Sequence, residues 1–344
     1  MPRIDFSGVY AGSMLAYDIA CAVRERYHGT VPMATNAQLP VLACDIGGSH
    51  ISVALCRKDP LRVDQVRSAV YPSDITAEGF LLLLGELGAS VSVDFGELAG
   101  VTLAVPNPFD IEAGISLIQH KLQFLFGLDL RLAVATRFGL PPSRVRFVHD
   151  AGAFLLGEMA IGAARNTGRA VGITLGTGIG TAFCRSGHLV ARGPGIPPGG
   201  EIWNLRFEDG IVEDFVSARA IQRICERRTG HGCDVADLAA AAPEDEIARA
   251  IFAEFGRYLG KALRAFLTDF TPDLVVLGGG IAHAAELFLP NVLREIDETK
   301  MRVAVSSMLD RAALAGAASA WFNGGIADDS PAKLASTVAF SDLA

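Results

Sequence analysis

Apolar residues fall in short continuous runs broken by glycines, and one such pattern occurs twice. Val171 to Cys184, VGITLGTGIGTAFC, reads as an apolar strand, a glycine-rich turn and a second apolar strand. Gly176, Gly178 and Gly180 occupy every second position, with Thr174 and Thr177 among them. Val41 to Cys56, VLACDIGGSHISVALC, has the same design, with Asp45 standing where Thr174 stands in the later copy. Short apolar runs bounded by turn residues predict buried strands. Val63–Tyr71 predicts a third strand after the first hairpin, and Leu98–Val105, Val145–Val148 and Leu274–Leu277 predict more. Helices are predicted over Ser73–Gly88, Leu130–Phe138, Ala151–Ala164, Glu213–Arg228, Asp245–Phe270 and Asp310–Trp321. Gly139 and Pro141 end the second of these. Ahead of the first hairpin, Leu15, Ile19, Val23 and Tyr27 share i, i+4 spacing, which predicts a helix within Met14–Tyr27. It reads as a surface helix packed on the body, with a partner contact as the alternative. Residues 323–344 read as a loose tail.

Glycines in a turn tolerate positive φ and let the backbone approach a ligand closely. Successive backbone N–H groups in such a turn make an anion nest. A single copy would be equally well explained as an ordinary hairpin turn. Two copies in separate halves predict two related lobes facing a polyphosphate. No G-x-x-x-x-G-K-[ST] occurs, and a strand rather than a helix follows the glycines, so neither a Walker A loop nor a dinucleotide fingerprint is present.

Candidate chemistry gathers at strand ends, where α/β proteins place ligand contacts. Leu98–Val105 runs into Pro106, Asn107, Pro108, Phe109 and Asp110. Val145–Val148 runs into His149 and Asp150. Asp150 reads either as a helix N-cap or as a catalytic carboxylate. Gly278, Gly279 and Gly280 follow Leu274–Leu277 and open the next helix, where a flat ring or phosphate can lie close to the backbone. Gly187–Glu201 is rich in Gly and Pro, and Glu201, Asn204 and Glu213 follow. His120 and Lys121 either reach toward an acceptor or are solvated.

The 344 residues suggest roughly two domains, and a 50% hydrophobic, 20% charged composition supports packed cores. A net charge of −8 gives nucleic acid no electrostatic attraction. No apolar run approaches the roughly 18 residues of a membrane span. The N-terminus lacks the basic-then-apolar order of a secretion signal, so the cytoplasm is the expected location. The six cysteines form no C-x-x-C pair. Cys44, Cys56 and Cys184 read as small buried hydrophobes.

Five motifs in order resemble the ROK family of sugar kinases, within the ATPase superfamily of actin, hexokinase and the heat-shock chaperones. They are DIGGSH at 45–50, VHDAGAFLLGE at 148–158, LGTGIGTAF at 175–183, VEDFVSARAI at 212–221 and VVLGGGI at 275–281. The resemblance runs from about Val41 to Trp321. It implies an α/β, two-lobed actin-like ATPase (ribonuclease H-like) fold with a mixed sheet in each lobe. The N-terminal lobe would span 41–149 and the C-terminal lobe 150–309, with the 310–322 helix returning to the first. It implies ATP and Mg2+ as cofactors and a small-molecule sugar or cyclitol as partner, and it leaves a homodimer open. Asp150 matches the general base. Asp45 matches the acid near the Mg2+ that bridges the ATP phosphates. Gly47, Gly48, Ser49, Gly176, Thr177 and Gly178 match the phosphate cradle, and Gly278, Gly279 and Gly280 the adenosine motif. Glu201 and Glu213 match glutamates that hold sugar hydroxyls, a task suited to a pure acceptor with two oxygens.

The departures lie mostly on the acceptor side. The family's sugar-contacting histidine falls on Asn204, its asparagine before the base on His149, a loop glycine on Asn107, and the lysine ending the first motif on His50. His149 reads either as a bond to a neighbouring carbonyl or as a contact to a sugar hydroxyl. The zinc cluster of the family is missing: the eleven residues between Glu201 and Glu213 include no Cys or His. Cys225, His231 and Cys233 come later and read as structural, so no zinc is expected. The implied activity is phosphorylation of a hexose or hexose-like hydroxyl, glucokinase-type first. An amino-sugar or carbasugar-cyclitol kinase is the alternative, and a sugar-sensing transcriptional regulator the alternative of another class.

Overall fold

In the computed structural model the described residues are 39–91, 95–119, 122–296, 301–308 and 311–323. The helix expected within Met14–Tyr27, His120 and Lys121, and the tail beyond Asn323 lie outside them. The first hairpin is β1 (Val41–Ile46) and β2 (His50–Arg57), followed by β3 (Arg62–Val70) and helix α1 (Ala77–Val91). Strand β4 (Gly100–Val105) leads to a small ribbon, β5 (Phe109–Asp110) and β6 (Ile115–Ser116), and then to α2 (Leu130–Phe138). Asp129 caps the start of α2 by accepting from Leu132 N, and Gly139 ends it at φ 63°, which an L side chain rarely adopts. Strand β7 (Val145–His149) passes directly into α3 (Asp150–Ile161). The second half begins with β8 (Arg169–Leu175), β9 (Ile179–Arg185) and β10 (His188–Val190). A second ribbon, β11 (Arg206–Phe207) and β12 (Gly210–Ile211), precedes α4 (Val212–Phe215), α5 (Ala218–Thr229), α6 (Val235–Ala241) and α7 (Glu246–Leu267). Strand β13 (Leu274–Gly278), α8 (Ala285–Glu295), β14 (Arg302–Val305) and α9 (Ala312–Phe322) complete the order.

The two halves repeat one topology. The first sheet runs β3-β2-β1-β4-β7 and the second β10-β9-β8-β13-β14. In each, the first three strands are antiparallel neighbours and the last two join in parallel. Alternation along the strands sends large side chains one way and small ones the other. Leu42, Cys44 and Ile46 enter a core with Phe80, Leu84, Val134 and Phe138. Val171, Ile173 and Leu175 enter a core with Phe252, Phe255, Leu259 and Phe288. Asp45 and Thr174 have the opposite parity, so both face the layer between the sheets.

That layer is made of α3 and α9. Helix α9 packs on β1, β2, β4 and β7, and α3 packs on β8, β9 and β13. The helices cross backbone to backbone because both carry glycine at the crossing. A Cβ on Gly316 would lie 1.6 Å from the Ala153 carbonyl oxygen, and one on Gly157 would lie 1.9 Å from that of Ala312. Arg146 anchors the end of α9 by donating to the Trp321 carbonyl at 3.2 Å while stacking on its ring. No helix among the described residues is long and apolar enough to cross a membrane.

The expected single helix over Glu213–Arg228 is instead α4 and α5, broken at Val216 and Ser217. Ser217 is extended (φ −162°, ψ 171°), and its side chain caps α5 by accepting from Ala220 N. The break lets Ala218 N donate to the Gly176 carbonyl at 2.8 Å. Strand β14 and helix α6 also form where no element was expected.

Gly316→Ala forces a methyl group against fixed backbone, so unfolding stability should fall by about 1–3 kcal/mol. Chemical denaturation tests this, and an unchanged midpoint would contradict the close crossing.

Candidate functional site

Parallel neighbours bring the chemistry-bearing residues to one edge. Asp45 pairs with Ala104 and Val105 with His149, so Asp45, Asn107, His149 and Asp150 emerge from adjacent strand ends of the first sheet. Leu277 pairs with Ile173 and Gly278 with Thr174, so the second glycine turn and the triple glycine are neighbours in the other sheet.

The first turn is held from below. Tyr71 O–H donates to the Gly47 carbonyl, Tyr71 N donates to that of Ser49 at 3.0 Å, and Gly47 N donates to that of His50 at 3.0 Å. Burial, and then the charge of Asp45, push the Tyr71 hydroxyl up to about 12, so it stays a donor throughout the physiological range. Gly48 and Ser49 are left exposed. In the second turn Gly176 N donates to the Gly178 carbonyl at 2.9 Å. A Cβ on Gly178 would meet Glu213 Oε2 at 2.2 Å, whereas one on Gly176 would meet nothing within 4 Å. Thr177 is exposed at the tip. Gly279 (φ 82°) lies against the Leu175 backbone, Gly278 against the Phe154 ring, and Gly280 faces open space. Open space at Gly176 and Gly280, beside backbone that side chains would block, fits a nucleotide laid along these turns.

Glu201 is placed by Thr181. The buried Thr181 hydroxyl donates to the Gly200 carbonyl at 3.1 Å and accepts from Ile202 N at 3.2 Å, gripping the chain on both sides of Glu201. Asn107 Nδ2 donates to Glu201 Oε1 from the other half of the molecule, and Trp203 Nε1 donates to Glu201 Oε2 at 2.5 Å. Glu213 accepts from Arg219 at 2.7 Å and from Ile179 N at 3.3 Å, and its own N–H donates to the Trp203 carbonyl at 3.0 Å. Asn107, Glu201 and Glu213 therefore form one connected group, and Asn204 is exposed in the same loop. Thr181, Trp203 and Arg219 were not singled out in the sequence. Their roles are to hold Glu201 and Glu213 rather than to form a motif of their own, so spacing carries no sign of them.

Asp150 begins α3 and accepts from Ala151 N at 2.7 Å. Ala151 lies 3.2 Å from where a Gly180 Cβ would be, which sets the start of α3 against the second hairpin. His149 immediately before it is half-buried, and its Nδ1 is wholly buried without a hydrogen-bond partner. Burial lowers its pKa to about 4, so the ring is neutral at pH 7.

One oxygen-donor carboxylate, Asp45, fits a Mg2+ held chiefly by nucleotide phosphates and water, an ion that rarely needs a full protein cage. No group of three or more His, Cys, Asp or Glu among the described residues is placed to hold a metal. Cys225 is buried and contacts the His231 carbonyl at 3.7 Å. Burial first, and then neighbouring Cys225, push the Cys233 thiol up to about 12, which leaves it protonated.

The ROK family model matches residues 41–323. This chain belongs to the ROK family. It is 28% identical over 314 residues to a glucokinase of Thermotoga maritima, covering 82% of this chain and 97% of that one. It is 22% identical over 250 residues to a xylose repressor of Caldicellulosiruptor bescii, covering 64% and 61%. In fold it resembles a ROK glucokinase from Streptomyces griseus solved with glucose and AMPPNP, with a TM-score of 0.68, 23% identity, and coverage of 81% and 98%. The repeated sheets around α3 and α9 are thus the two lobes of an actin-like ATPase fold.

Between pH 6.5 and 4 the unfolded chain binds a proton at His149 that the folded chain refuses, so folding stability should fall as pH drops through that window. Denaturation at several pH values should give a shallower fall for His149→Asn. An identical slope would contradict a buried neutral imidazole.

Proposed function

We propose that this chain is an ATP-dependent kinase that phosphorylates a hydroxyl of a hexose-type acceptor, glucokinase-type in the first instance. The observation that carries the reading is the meeting of the Asn107–Glu201–Glu213 group with the second glycine turn, against which the start of α3 at Asp150 is set. The glucokinase relative supports it. Glu201 and Glu213 accept hydrogen bonds from acceptor hydroxyls, and Asn107 orients Glu201 for this. Asp150 accepts the proton of the attacking hydroxyl and keeps an oxygen lone pair aimed at the phosphoryl group. The backbone N–H groups around Gly47, Gly48, Ser49, Gly176, Thr177 and Gly178 receive phosphate oxygens. Gly278, Gly279 and Gly280 lie along adenosine. Asp45 would hold a Mg2+ together with the nucleotide, and the ion would supply neutralisation of phosphate charge. Phosphoryl transfer asks the protein mainly for position and charge complementarity, which two lobes closing on the acceptor provide.

The departures at Asn204 and His149 favour an amino sugar or cyclitol as the second reading. A site built to hydrogen-bond particular groups strongly rejects analogues that lack them. The xylose-repressor relative supports a sugar-sensing regulator as the reading of another class. We place the activity in the cytoplasm, with a homodimer as an open assembly.

Mg-ATP with a panel of hexoses, amino sugars and cyclitols should release ADP with at least one acceptor. Asp150→Asn should lower kcat by about 10²–10⁴-fold with ATP binding retained. Substantial phosphorylation by that variant would remove Asp150 as the base, and nucleotide binding without turnover of any acceptor would favour the sensor.

A further inference from the structure

Trp203 stands between the two acceptor glutamates and is fastened to both. Its indole N–H donates to Glu201 Oε2 at 2.5 Å, and its carbonyl accepts from Glu213 N at 3.0 Å. The other oxygen of Glu201 accepts from Asn107, across from the opposite lobe. The polar edge of the indole is therefore satisfied, yet 38% of the residue is left exposed. Binding sites use aromatic rings as rigid apolar walls beside a few fixed polar groups.

We propose that Trp203 is a specificity-determining residue that offers its ring face to the apolar face of the acceptor. This rests on the sugar-kinase reading above and narrows it. A six-membered ring with equatorial hydroxyls points its polar groups outward in the ring plane and leaves C–H bonds on its faces. Glu201 and Glu213 then take hydroxyls at the ring edge while the indole covers one face. A carboxylate has about four acceptor positions, so the bonds from Asn107 and Trp203 orient Glu201 and still leave room for hydroxyls. The class selected is a six-membered polyol ring with one face free of axial hydroxyls: a gluco-configured hexose, its 2-amino derivative or an all-equatorial cyclitol. Open-chain polyols present no such face and are disfavoured.

Two variants separate stacking from a role exerted only through Glu201. Trp203→Ala should raise the acceptor KM about tenfold or more, with the ATP KM unchanged. Trp203→Phe keeps a ring but loses the N–H, and should stay within about threefold of the parent. If it loses as much as Trp203→Ala, the indole acts only through its bond to Glu201 and the stacking proposal falls. It falls equally if neither variant changes acceptor kinetics. Binding is read separately from turnover. The sequence has two tryptophans, Trp203 and Trp321, so Trp321→Phe leaves Trp203 as the sole indole. Saturable change of its emission by glucose, and none by glucitol, is the expected result. That change without ADP release would sink the kinase reading and leave the stacking intact. No change with any cyclic acceptor, or an equal one with glucitol, would overturn the proposal.

Discussion

Two helix backbones cross in contact at Gly157 and Gly316, and the rest of the molecule is arranged around that crossing. Helix α3 carries the second sheet on one side and α9 carries the first sheet on the other. A side chain at either glycine would collide with a carbonyl oxygen rather than with something that can swing away. The close approach brings the sheets near enough for Asn107 of one lobe to donate to Glu201 of the other. It also fixes Asp150, the first residue of α3, at the seam. Asp45 and Thr174 reach the same seam because strand alternation gives them the parity that faces it.

The site has a division of labour. The side proposed for the nucleotide is backbone: two glycine turns and a triple glycine, stiffened by Tyr71 beneath one turn and by the Ala218 bond to Gly176 beneath the other. Backbone donors are indifferent to what the phosphate is to be joined to. The side proposed for the acceptor is made of side chains that hold one another. Thr181 grips the chain around Glu201, Asn107 and Trp203 occupy its oxygens, and Arg219 steadies Glu213. Pre-arranged carboxylates of this kind keep their geometry before an acceptor arrives, which lowers the cost of ordering them on binding. Neutral His149 adds no charge beside Asp150.

The hairpins, the buried strands and the strand-end position of Asp150 were legible because each is local. Apolar runs, glycine turns and a helix start are written in consecutive residues. The break at Val216–Ser217 was hidden because the bond it permits, from Ala218 N to the Gly176 carbonyl, joins residues far apart in the sequence. Helix α6 carries a local sign in Asp234, which caps it by accepting from Ala236 N and Asp237 N. Strand β14 is short and half-buried, and its pairing with β13 defines it. The candidate site was legible as a set of residues and not as a network. Glu201 and Asn107 were each visible, but their contact depends on the lobes meeting, and Trp203 takes its meaning from that contact.

The central claim is that acceptor, Asp150 and nucleotide meet at the seam between the lobes. The most direct test is a crystal structure of Asp150→Asn with glucose, Mg2+ and a non-hydrolysable ATP analogue. The account predicts an acceptor hydroxyl within about 3 Å of the residue-150 side chain, the ring edge on Glu201 and Glu213, and the terminal phosphate between the turns at 47–49 and 176–178. A nucleotide bound away from those turns, or an acceptor bound away from residue 150, would contradict it.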